Sequence, residues 1–206
     1  MSFANNPGLK PFLLNLSYVF DGDLEIEKTA RRELNKVSPA NFSAKHCALP
    51  APILSAMLKY DAHPLCNDII GMPFDWRPPE TSKNSLYAKH SVFKSHVELV
   101  GPDGLVKSKE VRLGLYGMLP NSEYGVRTHP AEEIYVMLAG ECFWKRGDAP
   151  YCRERTNGRS YHPPMMPHAS KTQGKAFMSV YAWVGDLSTD AYEYSGLPQG
   201  QLSFKS

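Results

Sequence analysis

His129 and Glu133 are four residues apart, and Tyr135 is two further on, within the stretch YGVRTHPAEEIYVMLAG from Tyr124 to Gly140. In a strand alternate residues share a face, so Glu133 and Tyr135 point the same way. His129 precedes that strand, and a bend through Pro130 returns it to the same face. An imidazole, a carboxylate and a phenol then converge on one place. A second imidazole is available downstream in YHPPMMPH, Tyr161 to His168. Two imidazoles and one carboxylate with open positions suit Fe(II), Mn(II), Zn(II) or Ni(II), whereas calcium sites are built from oxygens. Singly, each residue has an ordinary reading: a hydrogen-bonded histidine, a solvated strand-edge charge, a core tyrosine. Together they predict a metal site.

The elements that must position these groups fall into two halves. Asp23 to Val37 reads as an amphipathic helix ended by Ser38 and Pro39, Ala51 to Leu58 as a second with Pro52 in its first turn, and Leu65 to Ile70 as a short third. Gly71, Pro73, Pro78 and Pro79 then break the chain, with a linker around Asp75–Asn84. Strand patterns follow at His90 to Val100 and Glu110 to Leu119. Two more, Glu133 to Leu138 and Glu141 to Lys145, are joined by a tight turn at Ala139–Gly140. A closing strand runs from Phe177 to Val184. Arg146 to Gly158 is turn-rich, and Arg153, Arg155 and Arg159 read as a solvated loop. The expectation is a mainly β chain: residues 1–85 as a helical extension on a β-barrel of residues 86–206, in one compact unit.

Composition narrows the function classes. In 206 residues, 42% are apolar and the net charge is +2, so a core can form and no basic track for nucleic acid is present. No segment approaches the ~20 apolar residues that span a bilayer. The four cysteines, Cys47, Cys66, Cys142 and Cys152, form no CxxC pair and read as reduced thiols. A cytoplasmic protein acting on a small molecule, with no nucleic-acid or membrane partner, is expected.

The spacing of His129, Glu133 and Gly140, followed by Pro164, Pro167 and His168, resembles the two motifs of the cupin barrels (double-stranded β-helices, or jelly rolls). Arg127 stands where cupins carry their first histidine, and a guanidinium, which keeps its proton, cannot replace that ligand. Tyr124 to Tyr135, His162-Pro163, Pro167-His168-Ala169, Trp183 to Asp186, Val100 to Gly104 and Phe74-Asp75-Trp76 are similar to the cupin-type dimethylsulfoniopropionate lyases. The likeness spans roughly residues 50 to 187.

The resemblance implies one divalent metal ion (Zn, Fe or Mn) held by His129, Glu133, Tyr135 and His168. It also implies cleavage of dimethylsulfoniopropionate to dimethyl sulfide and acrylate by β-elimination. Tyr135 is then the candidate base, and Tyr124 a second base or an orienting partner. A sulfonium seeks aromatic faces, for which Tyr124, Trp144, Tyr161, Tyr181 and Trp183 are available. His162 reads as a substrate contact, as a partner that fixes a metal ligand, or simply as a residue on a turn. Arg127 either grips the substrate carboxylate, points to solvent, or pairs with Glu132. The alternatives are another cupin enzyme on a small carboxylate, such as an isomerase or dioxygenase, and a non-catalytic cupin that binds a small ligand or stores metal. A homodimer is a further expectation, and the helices are left to cap the barrel, close over substrate or mediate pairing.

Overall fold

A computed structural model describes residues 8–36 and 47–198. Val37, Ser38 and Pro39, expected at the end of the first helix read from the sequence, lie outside the described residues, as does His46. Four helices come first: α1 (Leu9–Ser17), α2 (Glu25–Lys36), α3 (Ala51–Met57) and α4 (Leu65–Gly71). A short α5 (Ser85–Lys89) leads into the strands β1 (Lys94–Gly101), β2 (Val106–Lys107), β3 (Val111–Met118), β4 (Glu123–Thr128) and β5 (Glu132–Arg146). The strands β6 (Cys152–Arg155), β7 (Arg159–His162), β8 (His168–Lys171), β9 (Phe177–Val184) and β10 (Glu193–Gly196) complete the described residues.

The strand path is β10-β4-β8-β5-β9-β3-β1-β2, with β6 and β7 also paired to β5. All pairs are antiparallel except β1 with β2. The fold is a cupin-type barrel. Its hinge is β5, expected as two strands around a turn and found as one strand of 15 residues. The register shifts between Met137 and Ala139, and Gly140 has φ +74°. A Cβ at Gly140 would lie 2.0 Å from the Ala176 carbonyl oxygen, so glycine permits a bend here that other residues resist. The bend lets the first half of β5 pair with β7 and β9 and the second half with β6 and β8.

Alternation then sorts the side chains. Ile134, Val136 and Leu138 of β5, with Val180 and Ala182 of β9, face the helices in one core. Tyr135, Met137, Phe177, Tyr181 and Trp183 face the other way and fill the barrel. The helices therefore cover the outside of a sheet. In α2, Ile26, Ala30 and Leu34 are buried at helical spacing. Its buried Glu27 meets Arg159 Nε at 3.0 Å, and Arg159 also pairs with Asp21. Arg159 thus anchors the helices to β7 and is no solvated loop residue, and Arg153 and Arg155 belong to β6.

The expected linker crosses the barrel as extended chain. A bridge pairs Arg77 with His96, and Tyr87 Oη donates to the Pro79 carbonyl at 3.2 Å. Asn84 then caps α5, its side-chain oxygen accepting from the amides of Leu86 and Tyr87.

Candidate metal centre

Glu133 sits in β5 between two neighbours at the same height: His162 of β7 on one side and Trp183 of β9 on the other. Residues paired across antiparallel strands share a face, so both side chains reach the carboxylate. Trp183 Nε1 donates to Oε1 at 2.6 Å, and His162 Nδ1 lies 2.9 Å from Oε2. His168 Nε2, from the start of β8, approaches Oε2 to 3.0 Å, and His129 Nε2, just past β4, to 3.5 Å. All these residues are at most 5% exposed.

The ring orientations decide what the cluster is for. His129 Nδ1 donates to the Ala131 carbonyl at 3.1 Å, and His168 Nδ1 to the Met166 carbonyl at 2.8 Å. A ring held this way by Nδ1 aims its Nε2 inward, as a lone pair in the neutral form a metal binds, and neither Nε2 has a hydrogen-bond partner. Two imidazole lone pairs and a carboxylate oxygen facing one another repel unless a cation lies among them. One ligand atom from each of His129, Glu133 and His168 falls within 4.8 Å of the others. Backbone carbonyls fixing the far nitrogen are the usual support of a metal-bound histidine. The donor set fits a divalent metal.

His162 has a different task. The Glu133 carboxylate can only accept, so His162 Nδ1 donates to it, and Nε2 of the neutral ring is left to accept from the Ser160 hydroxyl at 2.9 Å, which itself accepts from Arg146 Nε at 3.0 Å. His162 also stacks on His168, with centroids 4.2 Å apart. Burial lowers the His162 pKa, and Glu133 opposes that. Burial pushes the Glu133 carboxyl up. The donors and imidazoles gathered on its oxygens outweigh it and hold it well below the usual carboxylate range. Burial, then the charge of Arg127, keeps His168 well below its ordinary value and so neutral.

The pocket in front of Glu133 is lined by Tyr116, Tyr124, Arg127, Tyr135, Tyr181, Trp183 and Tyr192, with Pro79 and Thr81 of the extended segment over it. Tyr135 lies beside Glu133, and burial first, then that carboxylate, push its phenol well above the ordinary range, against the pull of Arg127. Tyr124 is hydrogen-bonded to Tyr192, and its ring lies 4.0 Å from Arg127 Cζ. Trp183 stacks on His129 at 4.1 Å, with Tyr192 on the same ring at 5.8 Å.

Two expected substrate contacts are placed elsewhere. Tyr161 pairs with Ile134, so alternation turns it to the outside, where its hydroxyl donates to Glu132 at 2.8 Å. His162 lies behind Glu133 and does not line the pocket. Trp144 packs behind Tyr135 at 4.4 Å. Arg127 neither faces solvent nor pairs with Glu132; it is 1% exposed and lines the pocket. Tyr116, Tyr192 and His96, whose Nε2 is 2.7 Å from Tyr181 Oη, join the wall without having been singled out from the sequence. Tyr116 sits on the inward phase of β3, a signal that alternation offered. Tyr192 comes from an irregular segment before β10 and offered none.

Residues 73–178, just over half of the chain, match the sequence model of dimethylsulfoniopropionate lyases. The chain belongs to this family. The dimethylsulfoniopropionate lyase DddQ of Ruegeria pomeroyi is 35% identical over 91 residues, 44% of this chain and 45% of that protein. The aligned stretch thus spans less than half of that relative. The crystal structure of the same lyase superposes with a TM-score of 0.67 at 22% identity, covering 96% of this chain and all of the other. A second, reported among structures of the lyases RdDddP and RnDddQII, gives 0.63 at 19% identity, covering 91% of this chain and 97% of its own. At these identities the superpositions speak for the fold. The matched segment takes in His129, Glu133 and His168, so the candidate metal centre lies inside it.

Proposed function

We propose that this chain cleaves dimethylsulfoniopropionate to dimethyl sulfide and acrylate. The observation that carries this reading is the pocket itself: two inward imidazole lone pairs and a carboxylate, faced by Tyr135 and Tyr124 and walled by aromatic rings. Family membership names the substrate. His129, Glu133 and His168, with Tyr135, would hold the metal; Zn, Fe and Mn all suit this set. A divalent cation there draws charge from a substrate carboxylate and favours a neighbouring phenolate.

Tyr135, as phenolate, takes the proton from the carbon next to the carboxylate. That C–H pair becomes the double bond of acrylate, the C–S bond breaks, and its electrons leave on sulfur as neutral dimethyl sulfide. No acid is needed for the leaving group. Tyr124, tied to Tyr192, orients the substrate or returns the proton to solvent. The faces of Trp183 and Tyr181 offer the sulfonium ~0.5–2 kcal/mol each. His162 holds Glu133 in place for its ligand role, and the aromatic walls limit water around the carbanionic carbon.

The test is headspace dimethyl sulfide release by purified protein reconstituted with Zn, Mn or Fe. Release is expected from the wild type, and Tyr135→Phe and His129→Ala should each abolish it. A folded, metal-loaded protein that releases nothing with any of the three metals would sink the assignment.

A further inference from the structure

The Arg127 guanidinium is the pocket group with the least explanation from the chain itself. It is buried, and neither Nη1 nor Nη2 has a hydrogen-bond partner. Such a charge, left uncompensated, is among the most costly things a fold can bury. The nearby acids are committed elsewhere. Glu132 faces the outside and accepts from Tyr161, while Glu133 accepts from Trp183 and His162 and turns Oε2 to His129 and His168.

What surrounds the guanidinium orients it without neutralising it. Tyr124 lies against its face at 4.0 Å, which fixes the plane and leaves the N–H edge open. Across the β4–β8 ladder Arg127 pairs with His168, so it stands next to a metal ligand and on the same face. Tyr116 Oη, also on the pocket wall and buried, has no partner either. Three unpaired donors beside a cation site make a receptor for a planar oxyanion, and a guanidinium matches a carboxylate with two parallel hydrogen bonds. The charge balance agrees: a divalent ion with Arg127 and Arg112, against Glu133 and Glu98, leaves the pocket positive until an anion enters.

We propose that Arg127, assisted by Tyr116, is the carboxylate receptor of this pocket, and that it selects small monocarboxylates by their charge whether or not they carry an onium group. For the lyase substrate, where this rests on the function proposed above, like-charge repulsion then allows a single orientation: carboxylate at Arg127, sulfonium away from it. Arg127 is thereby a specificity-determining residue at the position where cupins carry their first histidine.

The experiment uses acrylate as the probe, titrated calorimetrically into the metal-loaded full chain, with acrylamide as its neutral isostere. Wild type should bind acrylate and prefer it clearly over acrylamide. Arg127→Gln should weaken acrylate by about tenfold or more at unchanged metal stoichiometry, and Arg127→Lys should recover part of the loss. Tyr116→Phe should cost less. Equal binding of acrylate and acrylamide to the wild type overturns the proposal without any variant. Unchanged acrylate affinity in folded Arg127→Gln overturns it too. Acrylate binding that is lost in Arg127→Gln, in a protein that releases no dimethyl sulfide, would sustain this receptor and remove the lyase. Release with an unaltered KM in Arg127→Gln would do the reverse.

Discussion

Glu133 is held by more donors than a metal ligand needs, and each has a separate consequence. The Trp183 N–H occupies Oε1 and leaves Oε2 facing His129 and His168, so the tryptophan selects which oxygen meets the metal. Trp183→Phe keeps the ring stacked on His129 and removes only that donor. Metal affinity should fall about 10- to 100-fold, the usual cost of losing a partner that orients a ligand. Competition with a fluorescent chelator would measure it, and an unchanged affinity would show that His162 alone orients Glu133. The sequence showed the ligands more clearly than their supports. His129 and Glu133 announce themselves by spacing, and His168 by its proline-rich turn. The donor role of Trp183 depends on β9 lying beside β5 in one particular register, which no local pattern encodes. His162 and Tyr161 are adjacent in sequence, yet the pleat sends one to the carboxylate and the other to the outside.

Among the elements, β1 carries a cost that the helices do not. Lys94 is 2% exposed, and burial, with the charge of Arg127 added, pushes its ammonium down to about 5. The ring faces of Tyr87 and Tyr124, at 4.4 and 3.1 Å, favour the cation and oppose that shift, and Nζ also donates to Ser91 Oγ. With its pKa depressed on folding, the unfolded chain binds a proton here that the folded chain does not. Between about pH 5 and the lysine reference of about 10.4, stability therefore rises with pH, by up to about 1.4 kcal/mol per unit. The penalty vanishes above the unfolded value and is greatest near pH 5. Lys94→Met should flatten the dependence of the urea midpoint on pH between 6 and 8 relative to wild type. Parallel slopes would mean that Lys94 stays charged against the rings. The sequence reading placed β9 residue for residue, because FMSVYAWV is β-prone throughout. It split β5 because Ala139-Gly140 looks like a turn. A glycine at positive φ serves a turn and a bulge equally well, and only pairing on both sides of β5 separates them. The short strands β7, β8 and β10, each of four residues, were not read as strands, for four residues hold too little alternation to register.

At the scale of the molecule, the proposed metal ligands would tie together segments that the barrel otherwise joins only through its ladders: the end of β4, the start of β5 and the start of β8. The helical half acts elsewhere, since its apolar faces cover the outer side of β3, β5 and β9, and the extended stretch through Pro79 and Thr81 lies over the pocket instead. The composition of the helices could not reveal which side of the barrel they cover, because an amphipathic face fits any apolar surface. Without a cation the cluster sets two imidazole lone pairs against Glu133, so the metal-free fold holds a repulsion at its centre. A metal that binds the folded chain and not the unfolded one adds about 4 kcal/mol at a thousandfold excess over its Kd. For a chain of this length that raises Tm on the order of ten degrees. Scanning calorimetry with metal, after chelation, and after metal is restored should show that rise, its loss and its return. His168→Ala should keep the lower Tm whether metal is present or not, because one of the three ligands is gone. If chelation left Tm where it was in a protein that had bound metal stoichiometrically, the ion would be sitting elsewhere.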